Sequence, residues 1–385
     1  MPAMAQTFDV CIRGSGIVGR TLALLLARDR LRVALVGPSD TPSSAEPHED
    51  VRAYALNATS RGLLQSLRAW PDARHATPVA RMEIQGDQDG CVHFDATAQG
   101  VDALAWIVDV PALEARLAEA VRYQPQVELV SSPVPATLTA VCEGRASRTR
   151  DEFGVEFATT PYAQQAIAAR LHCTVPHGQT ARQWFQTDGG ILAFLPLGGE
   201  QGNSVAIVWS VPKEQAPQLL ALEPEAFAQR VQEASHGALG ALELVSNRAA
   251  WPLQQARANH WCGNLHAGST TPGTHSWVLA GDAAHNVHPL AGQGLNLGLA
   301  DVQALARTLM ERDWRSIADL RLLRRYERER KAALLPMGLA MDGLQQLFAR
   351  REAPLQALRN WGLKGFERSG LLKEWTARQA MGTTH

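Results

Sequence analysis

Within residues 281–301, GDAAHNVHPLAGQGLNLGLAD, an acid, Asp282, follows the apolar run 277–280, and Gly292 and Gly294 come just before an apolar helix. A carboxylate at a strand end, next to Gly281, accepts hydrogen bonds from the hydroxyls of a polyol. Small residues at Gly292 and Gly294 let backbone N–H groups approach a planar ring. The helix that follows, opening at Leu295 and Asn296, would aim its positive end at that ring and favour negative charge there. A reduced flavin carries such a charge, so the segment suits a flavin.

The elements that must position this chemistry begin at the other end of the chain. The run 8–13 reads as a short buried strand, Gly14-Ser15-Gly16-Ile17-Val18-Gly19 as a turn, and the apolar stretch to about residue 27 as a helix. A second strand is expected over 31–36, completing a dinucleotide-binding βαβ unit. Its glycines have separate tasks: Gly14 makes the tight turn, Gly16 lets a pyrophosphate come close, and Gly19 lets helix pack on strand.

Together the two motifs resemble those of the FAD-dependent aromatic-ring hydroxylases, and within them the ubiquinone-biosynthesis hydroxylase family. The resemblance extends over nearly the whole chain. It takes in Asp50, Arg52, Ala55, Leu56 and Ser60, then Leu195-Pro196-Leu197, Val208-Trp209-Ser210 and Trp251-Pro252-Leu253. It continues through Arg324-Arg325-Tyr326-Glu327-Arg328, Met337, Asp342 and Phe348, and ends with Leu358-Arg359-Asn360 and Ala380-Met381-Gly382.

That resemblance implies an α/β two-domain flavoprotein: a Rossmann-like FAD-binding domain, a mixed-sheet substrate domain and C-terminal helices. The FAD-binding domain is expected to be discontinuous over 5–60, 101–175 and 275–345. The substrate domain would occupy 61–100 and 176–274, with strands in 82–94 and 183–210, and a C-terminal helical region would cover 346–385. The implied reaction uses NAD(P)H as a transient electron donor and O2, and hydroxylates a phenolic, prenylated quinone precursor through a flavin C4a-hydroperoxide. The cofactor supplies that chemistry, and the protein must keep the site dry and hold the ring carbon within reach. His288 and Pro289 are placed beside the flavin ring, with no general base assigned, and Arg52 against the flavin or its pyrophosphate. Leu195, Leu197 and Trp251 are candidate pocket walls, or equally ordinary core. Only one GxGxxG is present, which leaves no second Rossmann unit for a permanently bound nicotinamide.

Composition sets the outer bounds. A chain of 385 residues is too long for one small core. Its net charge of −1 leaves no electrostatic footprint for nucleic acid. The 5 cysteines have no CxxC spacing, and their odd number argues against a disulfide framework, so a cytoplasmic setting is expected. No signal peptide precedes the first strand and no apolar run is long enough to span a bilayer, so any membrane contact is expected to be peripheral, at the inner face. Association with a ubiquinone-biosynthesis enzyme complex or with a second copy of the chain stays open.

Two other features have blander readings. His285 and His288 have a spacing that would present two imidazoles to a metal on a helix, but Pro289 follows and no third ligand is visible, so no metal is expected. The stretch 321–331, RLLRRYERERK, reads as a solvated helix face with local pairs through Glu327 and Glu329, more simply than as a site for anionic lipid. The segment 354–382 reads as amphipathic helix, either a packed lid or an interaction surface.

The departures from the family pattern are informative. After the second strand the family has an acid that holds the adenosine ribose; here Gly37-Pro38 stands, with Asp40 beyond it. Loss of a charged hydrogen bond there would weaken FAD binding by about 1.5–3 kcal/mol. The family's Asp-Gly motif is Glu143-Gly144 here, with Ser147 and Arg150 matching the rest. Between residues 122 and 142 there is room for two strands, with Pro133 and Pro135 between them, where the family fits a longer β-meander. These departures leave two alternatives open, a flavoprotein oxidase or reductase and a non-catalytic homologue acting as a partner in an enzyme assembly.

Overall fold

The computed structural model describes residues 7–37, 50–86, 90–199, 201–265, 275–286 and 294–349. Its first sheet grows from the apolar strand Phe8–Arg13, whose centre, Val10 to Ile12, is at most 1 % exposed. Continuous burial of that kind requires cover on both faces, as in a parallel α/β sheet. The strand order is Cys262–Asn264, Ser276–Leu279, Ala136–Val141, Phe8–Arg13, Val33–Val36 and Val127–Val130, with only the Cys262–Asn264 pairing antiparallel. Helices Ile17–Arg28, Val110–Arg122 and Gly294–Met310 bury their Leu and Val faces in one core with this sheet.

The second sheet has nine strands and is mixed. Its centre is the long strand Phe157–Cys173, antiparallel to Ser204–Pro212 on one side and to Ala249–Ala258 on the other. Alternation assigns its two faces. Ile167, Ala169 and Leu171, with Val205, Ile207 and Trp209, pack against the helix Pro224–Ala234, while Ala206 lies in a separate cluster on the other face with Leu195 and Leu197. Across that cluster stands a three-stranded sheet, ordered Ala53–Leu56, Ala105–Asp109 and Ala76–Val79.

Three placements differ from expectation. The strand Phe157–Cys173, expected on the nucleotide side of a boundary at 175, pairs over nearly its whole length in the nine-stranded sheet. The helix Leu320–Ala349 runs through the expected boundary at 346 without a break; the rest of the 346–385 region lies outside the described residues.

The third difference concerns the shortened meander. Its two strands, Val127–Val130 and Ala136–Val141, do not pair with each other but lie parallel, separated by the strands Val33–Val36 and Phe8–Arg13. A parallel crossover normally takes a dozen or more residues. Here residues 131–135, SSPVP, make the whole connection. Two prolines favour the extended path this requires.

Candidate functional site

The fingerprint turn and the Gly281–Asp282 turn leave the sheet at the same end, from the strands that flank Ala136–Val141. Gly14 has φ +109°, and a Cβ there would lie 2.5 Å from the carbonyl oxygen of Cys142. A Cβ on Gly19 would lie 1.8 Å from the Gly14 carbonyl oxygen. Both glycines are therefore demanded by contact with backbone. Gly16 differs, because nothing lies within 4 Å of its Cβ position. It caps Ile17–Arg28 without a side-chain hydrogen bond, so the cap residue satisfies none of the first amides of this helix. Amides at a helix start beside a glycine can receive a phosphate.

After Val33–Val36 the chain continues to Gly37, whose N–H donates to Val130. Asp40 lies outside the described residues, as do His288, Pro289 and Gly292.

The Glu143 loop lies beneath the fingerprint. Its carboxylate accepts from the Ser147 hydroxyl at 2.8 Å and from the Thr149 hydroxyl and N–H at 2.6 and 3.1 Å. Burial pushes the Glu143 carboxyl up, but these donors and nearby Arg13 outweigh it and hold it below its usual value. The added methylene relative to Asp is thus absorbed by bonds within the chain. Arg150, only 5 % exposed, donates to the carbonyls of Arg145 at 3.1 Å and Ala283 at 3.4 Å and sits 3.6 Å over the Phe157 ring. It ties the Glu143 loop to the turn that carries Asp282.

Gly281 has φ +64°, in the left-handed region, and its Cβ position would touch Val18 at 3.3 Å. Asp282 is half-buried, and among the described residues its carboxylate accepts a hydrogen bond from Asn286 at 3.4 Å. Burial raises its carboxyl above the usual range, with Asp301 adding to the effect and His285 and Arg145 opposing it. Such a carboxylate can accept from ligand hydroxyls. The helix Gly294–Met310 opens beside this turn, and nothing lies within 4 Å of the Cβ position of Gly294; Leu295 is buried against the core.

Asn296 turns its side chain into the protein. Its Oδ1 accepts from the N–H of Asn57 at 3.0 Å and the hydroxyl of Ser60 at 2.8 Å, and its Nδ2 donates to Ala55 at 2.8 Å. What Asn296 can offer a cofactor is its backbone. Arg52 is held by Asp50 through Nε and Nη2, at 2.8 and 2.6 Å. That ion pair keeps Asp50 below its usual value against the upward push of burial. Arg170, from the nine-stranded sheet, pairs with Asp109 at 2.6 Å and donates to the Asp50 carbonyl at 3.3 Å. Arg170 and Asp109 form one wall of a 240 Å³ cleft between the sheets, which Ile107 and Leu197 also line. Leu195 is half-buried against Leu197, whereas Trp251 is half-buried on the strand Ala249–Ala258.

Asp301, His285 and Arg330 carried no expected role, yet they meet as a buried, hydrogen-bonded cluster behind Asp282. Their one sequence signal is an acid on the apolar face of a helix, which requires a partner. His285 is therefore committed to Asp301, and among the described residues no group of three His, Cys, Asp or Glu could hold a metal. The helix over 321–331 is also less solvated than expected. Leu323 and Tyr326 are fully buried, the Tyr326 hydroxyl donates to Leu279 at 3.0 Å, and Glu329 pairs with Arg307 of the neighbouring helix, while Glu327 pairs locally with Lys331. Burial raises the thiols of Cys11, Cys142 and Cys173 above their usual value and takes Cys262 up to about 12, which makes them poor nucleophiles. Among the described residues no helix is long and apolar enough to cross a membrane.

Residues 113–335, more than half of the chain, match the family described as FAD binding domain. The chain is 30 % identical to the 3-demethoxyubiquinol 3-hydroxylase of Escherichia coli, over 98 % of this chain and 99 % of that protein. It is 28 % identical to the ubiquinone hydroxylase UbiL of Rhodospirillum rubrum, over 97 % and 90 %. Its fold is similar to that of Pseudomonas aeruginosa PqsL, with a TM-score of 0.71 and 22 % identity over 94 % of this chain and 100 % of that one. With the two cofactor-shaped turns at one end of the sheet, these relationships lead to one assignment: the chain belongs to the FAD-dependent aromatic-ring hydroxylases, flavoprotein monooxygenases, and within them to the ubiquinone-biosynthesis hydroxylase family.

Proposed function

We propose that this chain hydroxylates a phenolic, prenylated ring in ubiquinone biosynthesis, with NAD(P)H as a transient donor and O2 as the oxygen source. The observation that carries the reading is the convergence at one sheet end of two features that fit the cofactor, the glycine-lined helix start at Gly16 and the carboxylate of Asp282. The relatives' printed names supply the substrate class.

FAD, when bound, supplies the reduction by NAD(P)H and the activation of O2. The chain's residues bind, orient and exclude water. Gly14 and Gly19 fix the turn, and the amides after Gly16 receive the pyrophosphate. Gly281 aims Asp282 at the polyol chain, and the amides of Gly294, Leu295 and Asn296 offer positive charge to the ring. Arg52, held by Asp50, adds a cation at the cofactor's other side. By the family resemblance, His288, Pro289 and Gly292 line the ring. Leu195 and Leu197 extend an apolar wall that limits water at the reacting carbon. Contact with a membrane surface or with other enzymes of the route would serve delivery of a prenylated substrate.

The test is to load the purified protein with FAD, then follow NAD(P)H oxidation and product formation with phenolic quinone precursors. Substrate-stimulated oxidation with one hydroxyl added to the ring is expected. Oxidation that yields only H2O2 at every substrate would favour an oxidase, and failure to retain FAD would favour the assembly partner.

A further inference from the structure

Asp301 is fully buried (0 %) among Leu299, Val302 and Leu305 of its helix. A carboxylate in such a place stays ionised only with a counter-charge and full hydrogen bonding. Three donors reach it from three elements: the N–H of Gly281 at 3.0 Å, Nε2 of His285 at 2.6 Å and Nε of Arg330 at 2.7 Å. Since an ionised carboxylate only accepts, Nε2 of His285 carries a proton. Burial pushes the Asp301 carboxyl up, but the imidazole and the guanidinium more than offset it and hold it below its usual value.

The imidazole lies stacked on Trp261, with ring centres 5.0 Å apart, and its Nδ1 is buried with no hydrogen-bond partner among the described residues. The other titratable and charged groups around this cluster are Asp282 on its own turn, with Arg145 beyond it, and Tyr326, Glu327 and Lys331 on the long helix. Cys142 and Cys262 complete the set from the sheet. Arg330 is thus the permanent cation in direct contact with Asp301.

We propose that Arg330 and Asp301 are positioning residues for the flavin, holding the Gly281–Asp282 turn in its binding shape, with His285 as a further donor to Asp301. The proposal rests on the reading that this turn receives FAD. With Arg330 in place, the buried carboxylate is balanced and its position against the Gly281 N–H is fixed. Without it, Asp301 lacks its permanent counter-charge beside Asp282, the Gly281 N–H loses its fixed acceptor geometry, and FAD binding weakens.

The experiment is a fluorescence titration of the full-length apoprotein with FAD at one near-neutral pH. Arg330→Met is expected to lose about tenfold or more in affinity relative to wild type. Arg330→Lys should recover most of that loss, and the charge-balanced Asp301→Asn/Arg330→Met should bind FAD more tightly than Arg330→Met. Arg330→Gln, gentler on packing, should show the same loss as the Met variant and replaces it if that variant does not fold. Loss of fold in both, with the double variant folded, would also support Arg330 as the counter-charge; an unfolded double variant would count against it. Wild-type affinity in the folded single variants, or a double variant no better than Arg330→Met, overturns the proposal. Asp282→Ala, titrated alongside, separates the two ways of failing. Unchanged affinity there removes the turn from the flavin site, whereas weakened affinity there with wild-type affinity in the Arg330 variants removes only the positioning role.

Discussion

The fingerprint turn and the Gly281–Asp282 turn sit on either side of Ala136–Val141, and they are held by opposite means. The first is set by steric contact: backbone meets backbone at Gly14 and Gly19, and no side-chain charge is needed to shape it. The second is set by charge, through a buried carboxylate that gathers an amide, an imidazole and a guanidinium from three elements. A turn held by contact tolerates changes of pH but no added atom. A turn held by buried charge is exposed to any change in the balance. One dinucleotide site would thus be anchored at two ends with different weaknesses.

Each end can be broken separately. Gly14→Ala should have the largest effect, because the new Cβ would enter the Cys142 carbonyl at a backbone angle that L residues avoid. A loss of about 3 kcal/mol or more is expected, read as a fall in Tm; a Tm within a degree or two of wild type would remove the steric account. Asp301→Ala leaves Arg330 and His285 without their carboxylate and should cost about 3–5 kcal/mol by denaturant titration, with the charge-balanced Asp301→Asn/Arg330→Met losing less. If the double variant were no better than the single one, charge balance would not be what holds this turn.

Gly16→Val sharpens the contrast. Its φ of −73° suits any residue and its surroundings are open, so stability should change by no more than about 0.5 kcal/mol. FAD affinity should nevertheless fall about a hundredfold, because the side chain would fill the space a pyrophosphate approaches. Normal FAD titration by this variant would show that the dinucleotide does not enter there. Acidification gives the smallest effect. Asp301 and Glu143 titrate below the usual carboxylate value, so their contributions are present above about pH 4 and are lost as pH falls through their lower folded values. Asp282, raised by burial, works in the opposite sense, since its protonation on acidification relieves the cost of burying its charge. The Tm should therefore drop more steeply below about pH 4 in wild type than in Asp301→Asn; equal slopes would mean that Asp301 is not a source of the acid sensitivity.

Much of this architecture was legible in the residues. The strand Phe8–Arg13 and its helix Ile17–Arg28 fall where apolar period and glycine spacing put them, since those patterns are local. What was not legible depends on residues brought together by the fold. Asp301 and Arg330 lie on separate helices, and nothing in the stretch 321–331 distinguishes the buried Arg330 from the exposed Arg328 except position on a helix face. Asn296 read as a cofactor contact because of its neighbours in sequence, yet its side chain is used to pin the segment 55–60. The strand Phe157–Cys173 was assigned to the wrong side of a boundary because alternation shows which face of a strand is buried and not which sheet it joins.

The strap at 131–135 has one further consequence, which concerns slack. From Val130, level with Arg13, to Ala136, level with Phe8, the chain must cross three strand spacings of about 4.8 Å and descend five residues at about 3.3 Å each, a diagonal of about 22 Å. Six links of extended chain reach about 20–22 Å, so the connector is close to its contour limit. Removing one residue would have to pull the edge strand Val127–Val130 out of register, whereas a few added residues would cost only a fraction of a kcal/mol in closure entropy. A tether under that constraint fixes the edge strand beside Val33–Val36 by length alone. It also makes insertion the easy direction of change, so this stretch can be lengthened and only with difficulty shortened again.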